Sequence, residues 1–272
     1  MSLRTALVAL CLSVPVVAHA QAPAAPPLIV GQIGAIVLSL PAYPGSDERW
    51  TVPVPLVDLR VARRVYLGDG LGGLSAGAGV YLVEAGGFSW SADLALTSDR
   101  PEDRADALAG MGDRGFGAFA GSTLAYRLGP VEASASVAVG LEDRMGSMGV
   151  LGLSVGQPVG ERWFVQAGGA AAFGDCANLR WDFGVSEAQA ARRRELLESG
   201  APGLRPSDGV SYTPRCGLRE LRATASLGYA LTPRLSLFGA GAGVRLERGA
   251  AKSPLTRDRN GWEAGVGLGG RF

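Results

Sequence analysis

The sequence predicts an all-β fold, a closed antiparallel transmembrane β-barrel of about twelve strands with a short helix in its longest extracellular loop. Three observations carry this prediction. Apolar residues alternate with small or polar residues over segments of about ten residues, the length that a tilted strand needs to cross a bilayer. The connections between these segments fall into a short class and a long class. Beyond the first twenty residues, no apolar run is long enough for a spanning helix.

The alternation is clearest in Val131–Glu142, where the odd positions are Val, Ala or Leu and the even positions are Glu, Ser, Ala or Gly. Phe88–Thr97 and Arg219–Tyr229 behave in the same way. A period of two is the period of a strand, whereas a helix repeats every ~3.6 residues. The pattern predicts strands at 29–39, 51–61, 64–69, 73–82, 88–97, 114–127, 131–142, 147–156, 162–173, 217–230, 234–247 and 261–272.

The long connections are 40–50, 98–113, 174–216 and 248–260, and they alternate with short turns. The third and fourth strands are the exception, with a short connection where a long one is expected. Outer-membrane barrels have short periplasmic turns and longer extracellular loops, so the alternation places both chain ends in the periplasm. A soluble periplasmic β-sandwich is the alternative fold, which explains the alternation within strands but not the two classes of connection.

The start of the chain predicts a cleaved secretory signal peptide. A short basic segment precedes an apolar run over 5–17, and Ala18-His19-Ala20 predicts cleavage before Gln21. Residues 1–20 are therefore assigned to the signal peptide, 21–28 to a Pro-rich N-terminal lead-in and 29–272 to the barrel. Export combined with a β-barrel predicts the outer membrane of a Gram-negative bacterium.

The residue types present limit the chemistry. His19 is the only histidine and lies in the predicted signal peptide, which removes histidine from catalytic triads, metal sites and acid–base catalysis. We therefore predict no enzyme activity, no catalytic or metal-binding residue and no cofactor. The formal net charge of +1 gives no basic footprint for nucleic acid. The arginine-rich loop 248–260 suits the phosphates of lipopolysaccharide, although a solvated loop explains its charge as well.

Two cysteines remain after the signal peptide, and they flank the longest predicted loop. In an oxidising periplasm the even pair Cys176 and Cys216 favours a disulfide over two free thiols.

Between these cysteines the sequence predicts a short helix. Ser186 and Gln189 have the spacing of a capping box, and Gly200 supplies a C-terminal stop. An apolar side at 196–197 and a basic side at 192–194 leave two hypotheses open. We favour a lid packed on the barrel mouth over a helix that docks a partner, because short helices are marginal without packing.

The last predicted strand carries aromatic residues at both ends. Trp262 and Phe272 share the apolar parity, which places one aromatic side chain at each membrane interface. A terminal Phe on such a strand resembles the signal that the bacterial outer-membrane assembly machinery recognises. Phe272 is therefore a candidate assembly signal.

Three segments occur in an order that is similar to one known family. They are Pro41–Arg60, Phe183–Arg193 and the Ser-Pro loop 251–255, which is followed by a last strand ending in Phe. Together they resemble the MltA-interacting protein (MipA)/OmpV family of outer-membrane proteins. The motif residues in the loops are Tyr43, Gly45, Ser46, Asp47, Glu48, Ser253 and Pro254.

The resemblance implies a non-enzymatic barrel that acts as a scaffold, joining a lytic transglycosylase to a penicillin-binding protein during murein growth. A small-solute pore and a surface adhesin are the alternatives. Twelve strands give a lumen between those of filled small barrels and porins, and inward glycines such as Gly265, Gly267 and Gly269 leave room. Because the periplasmic turns are short, a partner would bind the turn rim and residues 21–30.

Overall fold

The computed structural model describes residues 28–71 and 75–272, which form a closed barrel of antiparallel strands. The predicted signal peptide, and the lead-in up to residue 27, lie outside the described residues. Each strand pairs with its neighbours in sequence, and the first strand closes the barrel against the last. The strands are β1 (Ile29–Pro41), β2 (Arg49–Val61), β3 (Val65–Gly70), β4 (Ser75–Ala85), β5 (Phe88–Thr97), β6 (Gly117–Leu128), β7 (Val131–Gly140), β8 (Ser147–Val159), β9 (Trp163–Gly174), β10 (Gly217–Ala230), β11 (Leu235–Leu246) and β12 (Asn260–Arg271).

The predicted fold class is confirmed, and the differences lie at strand ends. β6 begins at Gly117 rather than at residue 114, because Arg114 forms an isolated bridge with Arg100 inside the preceding loop. β7 ends at Gly140 rather than at residue 142, where a tight 3₁₀ turn over Asp143–Met145 leads into β8. At these two strand ends, residues that were predicted to continue the strand belong instead to the loops.

Three short helices lie in the long connections: α1 (Cys176–Phe183), α2 (Glu187–Glu198) and α3 (Arg248–Ala251). The predicted helix is α2, and its capping box is present, with the Ser186 and Gln189 side chains each accepting from the other's backbone N–H. α1 was not predicted; its N-cap is Asp175, whose carboxylate accepts from the backbone N–H of Asn178 at 2.8 Å. In the described part of the chain, no helix has both the length and the apolar character to cross a bilayer.

The outer face of the barrel is apolar. Outward-facing Val and Leu side chains stay exposed on almost every strand, and Val137, Leu153 and Val266 are 65%, 59% and 56% exposed. In water such a surface would be strongly unfavourable, whereas lipid solvates it, and the closed strand order pairs each strand with a neighbour on both sides. The barrel therefore has the outer surface of a membrane-spanning protein.

One side of the barrel interior is filled by apolar side chains. Ile36, Leu38, Leu40, Val54 and Phe238, from β1, β2 and β11, form a buried cluster there.

The side chains of this cluster pack directly against the inward glycines of β12. A Cβ on Gly267 would lie 2.5 Å from Cζ of Phe238, and a Cβ on Gly265 would lie 2.6 Å from Cδ2 of Leu38. The room that the sequence assigned to a solute is therefore occupied at these positions by neighbouring side chains.

The two ends of the barrel differ. We call the end with the long connections the loop end. The opposite end, at which β1 begins and β12 ends, is the turn end. The loop end carries 42–48, 98–116, 141–146, 175–216 and 247–259. The turn end carries 62–64, 86–87, 129–130, 160–162 and 231–234.

Phe272 lies at the turn end with its side chain 56% exposed, and its backbone pairs with Gly31 through N–O distances of 3.4 and 3.2 Å. Its role as an assembly signal stays a prediction. We expect Phe272→Ala to lower the amount of inserted barrel in cells, with a folded-state cost below the ~3 kcal/mol of a buried Phe. Protease-sensitive periplasmic material and heat-modifiable gel mobility after detergent refolding measure the two effects.

The matched control for this variant is Phe88→Ala, another exposed aromatic residue at the turn end. Normal insertion of Phe272→Ala, or equal loss in both variants, would contradict a specific signal at the terminal residue.

Candidate functional site

The motif segments of the sequence converge at the loop end. The hydroxyl of Tyr43 donates to the carbonyl of Leu255 at 2.8 Å, across 212 residues of chain. Ser253 Oγ donates to the carbonyl of Phe183 at 2.7 Å. The carbonyl of Gly45 accepts from the backbone N–H groups of 257 and 258 at 2.7 and 3.0 Å. These bonds join three loops, and the 98–116 loop is joined to the first of them by the bond from Asp106 to Glu48. We call these four loops together the loop cap (42–48, 98–116, 175–216 and 247–259).

The first motif loop is a tight turn that contacts its neighbours. Gly45 has a φ of +90°, and a Cβ there would lie 3.0 Å from Leu246 Cδ1 of β11 and 3.1 Å from Thr256 Oγ1 of the last loop. Ser46 Oγ accepts from the N–H of Glu48 at 3.1 Å, and the Glu48 carboxylate accepts from the N–H of Asp106 at 3.0 Å. Asp47 is exposed, and its carboxylate lies 3.7 Å from Arg205. Pro254 of the second motif loop is half-buried.

The loop cap has its own apolar core. Buried side chains from all four of its loops meet there, and Leu108, Ala190 and Leu255 have no exposed surface. A second cluster, Leu179, Phe183, Leu246 and Ala250, joins the cap to β11. Helix α2 contributes Ala190 to the first cluster, which supports the lid hypothesis because the helix packs on the other loops rather than standing free.

One predicted feature of α2 is wrong. The sequence grouped residues 192–194 as one basic side of the helix, but Arg193 is fully buried, while its neighbours 192 and 194 are exposed. Arg193 follows Ala190 by three residues and so faces the cap with it. Its guanidinium donates to the carbonyls of Asp208 at 2.8 Å and Ala107 at 3.0 Å.

A buried ion cluster holds the centre of the cap. The Asp208 carboxylate is fully buried and lies 3.3 Å from the Arg193 guanidinium. The Arg257 guanidinium donates to the same carboxylate at 2.9 Å. The backbone N–H of Arg205 donates to it at 2.7 Å. Two arginines from different loops thus share one acid, so none of these loops can leave without exposing a buried charge.

A second ion cluster joins the cap to the barrel wall. The Asp182 carboxylate in α1 pairs with Arg114, and with Arg219 of β10 at 2.6 Å. Burial raises the pKa of the Asp182 carboxyl, but the facing Arg219 and Arg114 outweigh this effect and hold that pKa at about 2. The Arg100 guanidinium donates to the backbone carbonyl of Asp182 at 3.2 Å rather than to its carboxylate. Burial and the neighbouring Arg114 lower the pKa of Arg100 to about 10.

Polar side chains on the inner faces of the strands form networks that sequence reasoning missed. Asp93 of β5 accepts from Tyr66 of β3, and from Ser91 and Thr123 at 2.7 and 2.6 Å. On the other side of the barrel, Arg222 and Glu263 approach within 2.5 Å. Strand parity places these residues inside, but it does not show which strands bring them together.

The predicted disulfide is present and links Cys176 at the start of α1 to Cys216 just before β10. Replacing both cysteines with Ser is expected to lower the stability of the loop cap by at most ~4 kcal/mol, because the bond closes a chain separation of 40 residues. Protease cleavage within 184–215 measures the effect, and reductant should sensitise the wild type but not the variant. Equal protease resistance of both proteins would contradict a stabilising role.

Tyr43 makes the stability of the loop cap depend on pH in the alkaline range, because burial raises the pKa of its phenol to about 12. Since an exposed tyrosine titrates near pH ~10, the unfolded chain loses this proton first and cap stability falls as the pH rises through the folded pKa. Tyr43→Phe should cost ~1 kcal/mol near neutral pH, through the lost bond to Leu255, and weaken the alkaline fall. Urea unfolding near pH ~8 and pH ~11 tests both effects; parallel curves would contradict the assignment.

These features define the class of this protein: a membrane-spanning β-barrel with an apolar outer face and one mouth covered by a packed, disulfide-linked cap. The family follows from the sequence itself. The model of the family described as MltA-interacting protein MipA matches residues 33–272, and the chain belongs to this family. No curated protein sequence matches the chain. Among residues 28–71 and 75–272, no group of three or more His, Cys, Asp or Glu has the arrangement of a metal site.

Several solved structures are similar in fold at low identity. OprB of Pseudomonas putida aligns over 82% of this chain with 13% identity and a TM-score of 0.38, and this chain spans 60% of that porin. The NanC porin aligns over 90% of this chain and 100% of its own, with 7% identity and a TM-score of 0.41. The translocator domain of the autotransporter NalP from Neisseria meningitidis aligns over 90% and 88%, with 9% identity and a TM-score of 0.39.

Proposed function

We propose that this protein lies in the bacterial outer membrane, with the loop cap outside, and serves at its turn end as a non-enzymatic docking platform for a murein enzyme. The observation that carries the proposal is the charge of the turn end. Arg63, Arg64, Arg162 and Arg234 are exposed there on three different turns. The family description, which names interaction with MltA, supports a partner on the periplasmic side.

Two of the acidic residues at the turn end are engaged in ion pairs, whereas Glu161 is exposed on the same turn as Arg162. Glu84 pairs with Arg60 at 2.5 Å, and Glu132 pairs with Arg127 at 2.5 Å. The arginines of the turns therefore make the electrostatic potential at the turn end positive. Complementary charge raises association rates and fixes orientation even where the contact area is small, which offsets the limited surface of short turns. The predicted lead-in, 21–28, would extend from the same end.

The apolar cluster on one side of the interior and the cap at the loop end do not favour the pore alternative. The cap covers the loop end, and the β12 glycines accommodate Phe238 and Leu38 instead of leaving a channel beside β12. Planar-bilayer recording tests this part of the proposal. We expect no conductance steps from the oxidised protein, and regular steps would favour a solute pore instead.

The docking proposal is tested with the refolded full chain immobilised in detergent. Its affinity is measured for a purified lytic transglycosylase of the MltA type and for a bifunctional penicillin-binding protein. Arg63→Glu combined with Arg234→Glu should weaken binding roughly tenfold and make it less dependent on salt. The matched control is Arg192→Glu combined with Arg248→Glu, which reverses two exposed charges at the loop end. Failure of the wild type to bind either enzyme, or equal effects of both variants, would remove the proposal.

A further inference from the structure

The loop cap contains a cavity that the docking proposal does not use. It measures about 600 Å³ and lies between α1, the start of α2 and the loop 111–114. This volume is within the range of ordinary small-molecule sites, ~300–1,000 Å³, and exceeds what a bare inorganic ion needs. Because the cavity lies at the loop end, it is on the opposite side of the barrel from the arginines of the turn end.

Arginines line this cavity at two depths. Arg100 is only 6% exposed, and the side chain of Arg114 is 12% exposed, so both form its inner wall. Arg144 and Arg180 are exposed and lie at its opening. The charged groups in the lining are these four arginines and the carboxylates of 113 and 143. Glu142, beside the lining, pairs with Arg144 at 2.7 Å, so the excess of positive charge lies on the other three arginines.

The inner arginines are not fully neutralised by their own neighbours. The Asp182 carboxylate is shared between Arg114 and Arg219, and Arg100 reaches only the backbone carbonyl of Asp182. The Nε atoms of Arg100 and Arg114 are buried without a hydrogen-bond partner. A buried cation without a matching anion is costly, so the cavity is electrostatically prepared for a negative ligand.

The indole of Trp181 holds two of these arginines in place. The Arg114 guanidinium lies 5.2 Å from its ring centroid and that of Arg144 lies 4.8 Å from it. Such cation–π contacts fix a guanidinium without consuming all of its N–H donors. An inner and an outer arginine are thereby held on the same ring, on the cavity wall.

We propose that this cavity binds a phosphorylated sugar, either free or as the headgroup of a membrane lipid. The bidentate donors of arginine match phosphate oxygens, and the negative charge of a phosphate monoester is complementary to the positive charge of the lining. The volume beyond the phosphate accommodates a sugar ring. The loop end is the side at which lipid headgroups and external solutes arrive.

The test is calorimetric titration of the refolded full chain in phosphate-free buffer, without any murein enzyme. Glucose 6-phosphate is the free probe, and lipid A with and without its phosphates, in matched detergent, is the lipid probe. Arg144→Ser combined with Arg180→Ser should weaken binding roughly tenfold, because two charge-assisted contacts are lost at the opening. Arg205→Ser is the control, since it removes an exposed loop-end arginine that does not line the cavity.

Saturable binding of glucose 6-phosphate that the double variant weakens supports the site. Binding of phosphorylated lipid A alone, weakened in the same way, also supports it and assigns the source to the membrane. The proposal is overturned if neither probe binds, if glucose or glucuronate binds as tightly as glucose 6-phosphate, or if Arg205→Ser weakens binding as much as the double variant. Because no partner protein takes part, these outcomes are independent of the docking proposal.

Discussion

Asp208→Asn is expected to open the loop cap while the barrel below it stays folded. The carboxylate is fully buried between the guanidinium groups of Arg193 and Arg257. Its loss leaves two buried cations without their acid, and breaking a buried pair in this way costs ~3–5 kcal/mol. Hydrogen exchange should show lost protection in α2 and the 98–116 loop, with strand protection retained.

The matched control is Asp47→Asn, which removes a carboxylate from the same cap. Asp47 is half-exposed and lies 3.7 Å from Arg205, so its ion pair should contribute no more than ~1 kcal/mol. If both substitutions shift protection by similar amounts, the buried cluster does not hold the cap together.

Gly267→Ala is the second substitution with a large expected effect. Its Cβ would lie 2.5 Å from Phe238 Cζ and 2.7 Å from the backbone carbonyl of Ala35, so side chain and strand must both shift. Overpacking of this kind typically costs ~1–3 kcal/mol, and the stability of the barrel in urea should fall accordingly.

Gly243→Ala on the neighbouring strand is the control, because a Cβ at Gly243 meets no atom within 4 Å. We expect it to leave the urea midpoint nearly unchanged. A stable Gly267→Ala barrel would mean that the interior beside β12 is looser than the structure shows, which would in turn reopen the case for a solute path.

The candidate site was partly predictable. The sequence identified the motif loops around Tyr43 and Ser253, the α2 capping box and the Cys176–Cys216 pair as features of the loops. It misassigned Arg193, because a short helix with basic residues at three successive positions does not show which of them faces its neighbours. It also missed the arginine cavity, whose walls come from loops far apart in the chain.

The sequence by itself determined the barrel, because the signals for it are local. Strand alternation has a period of two within each segment, and the lengths of the connections separate the loop end from the turn end without knowledge of any distant contact. Only the tertiary structure decided what fills the interior and what closes the mouth. Tyr43 forms a hydrogen bond with Leu255 across 212 residues, and Phe238 of the adjacent strand packs against Gly267. Parity and spacing assign a side chain to a face, but its partners there depend on strand register and loop folding, which follow from the packing of the whole chain.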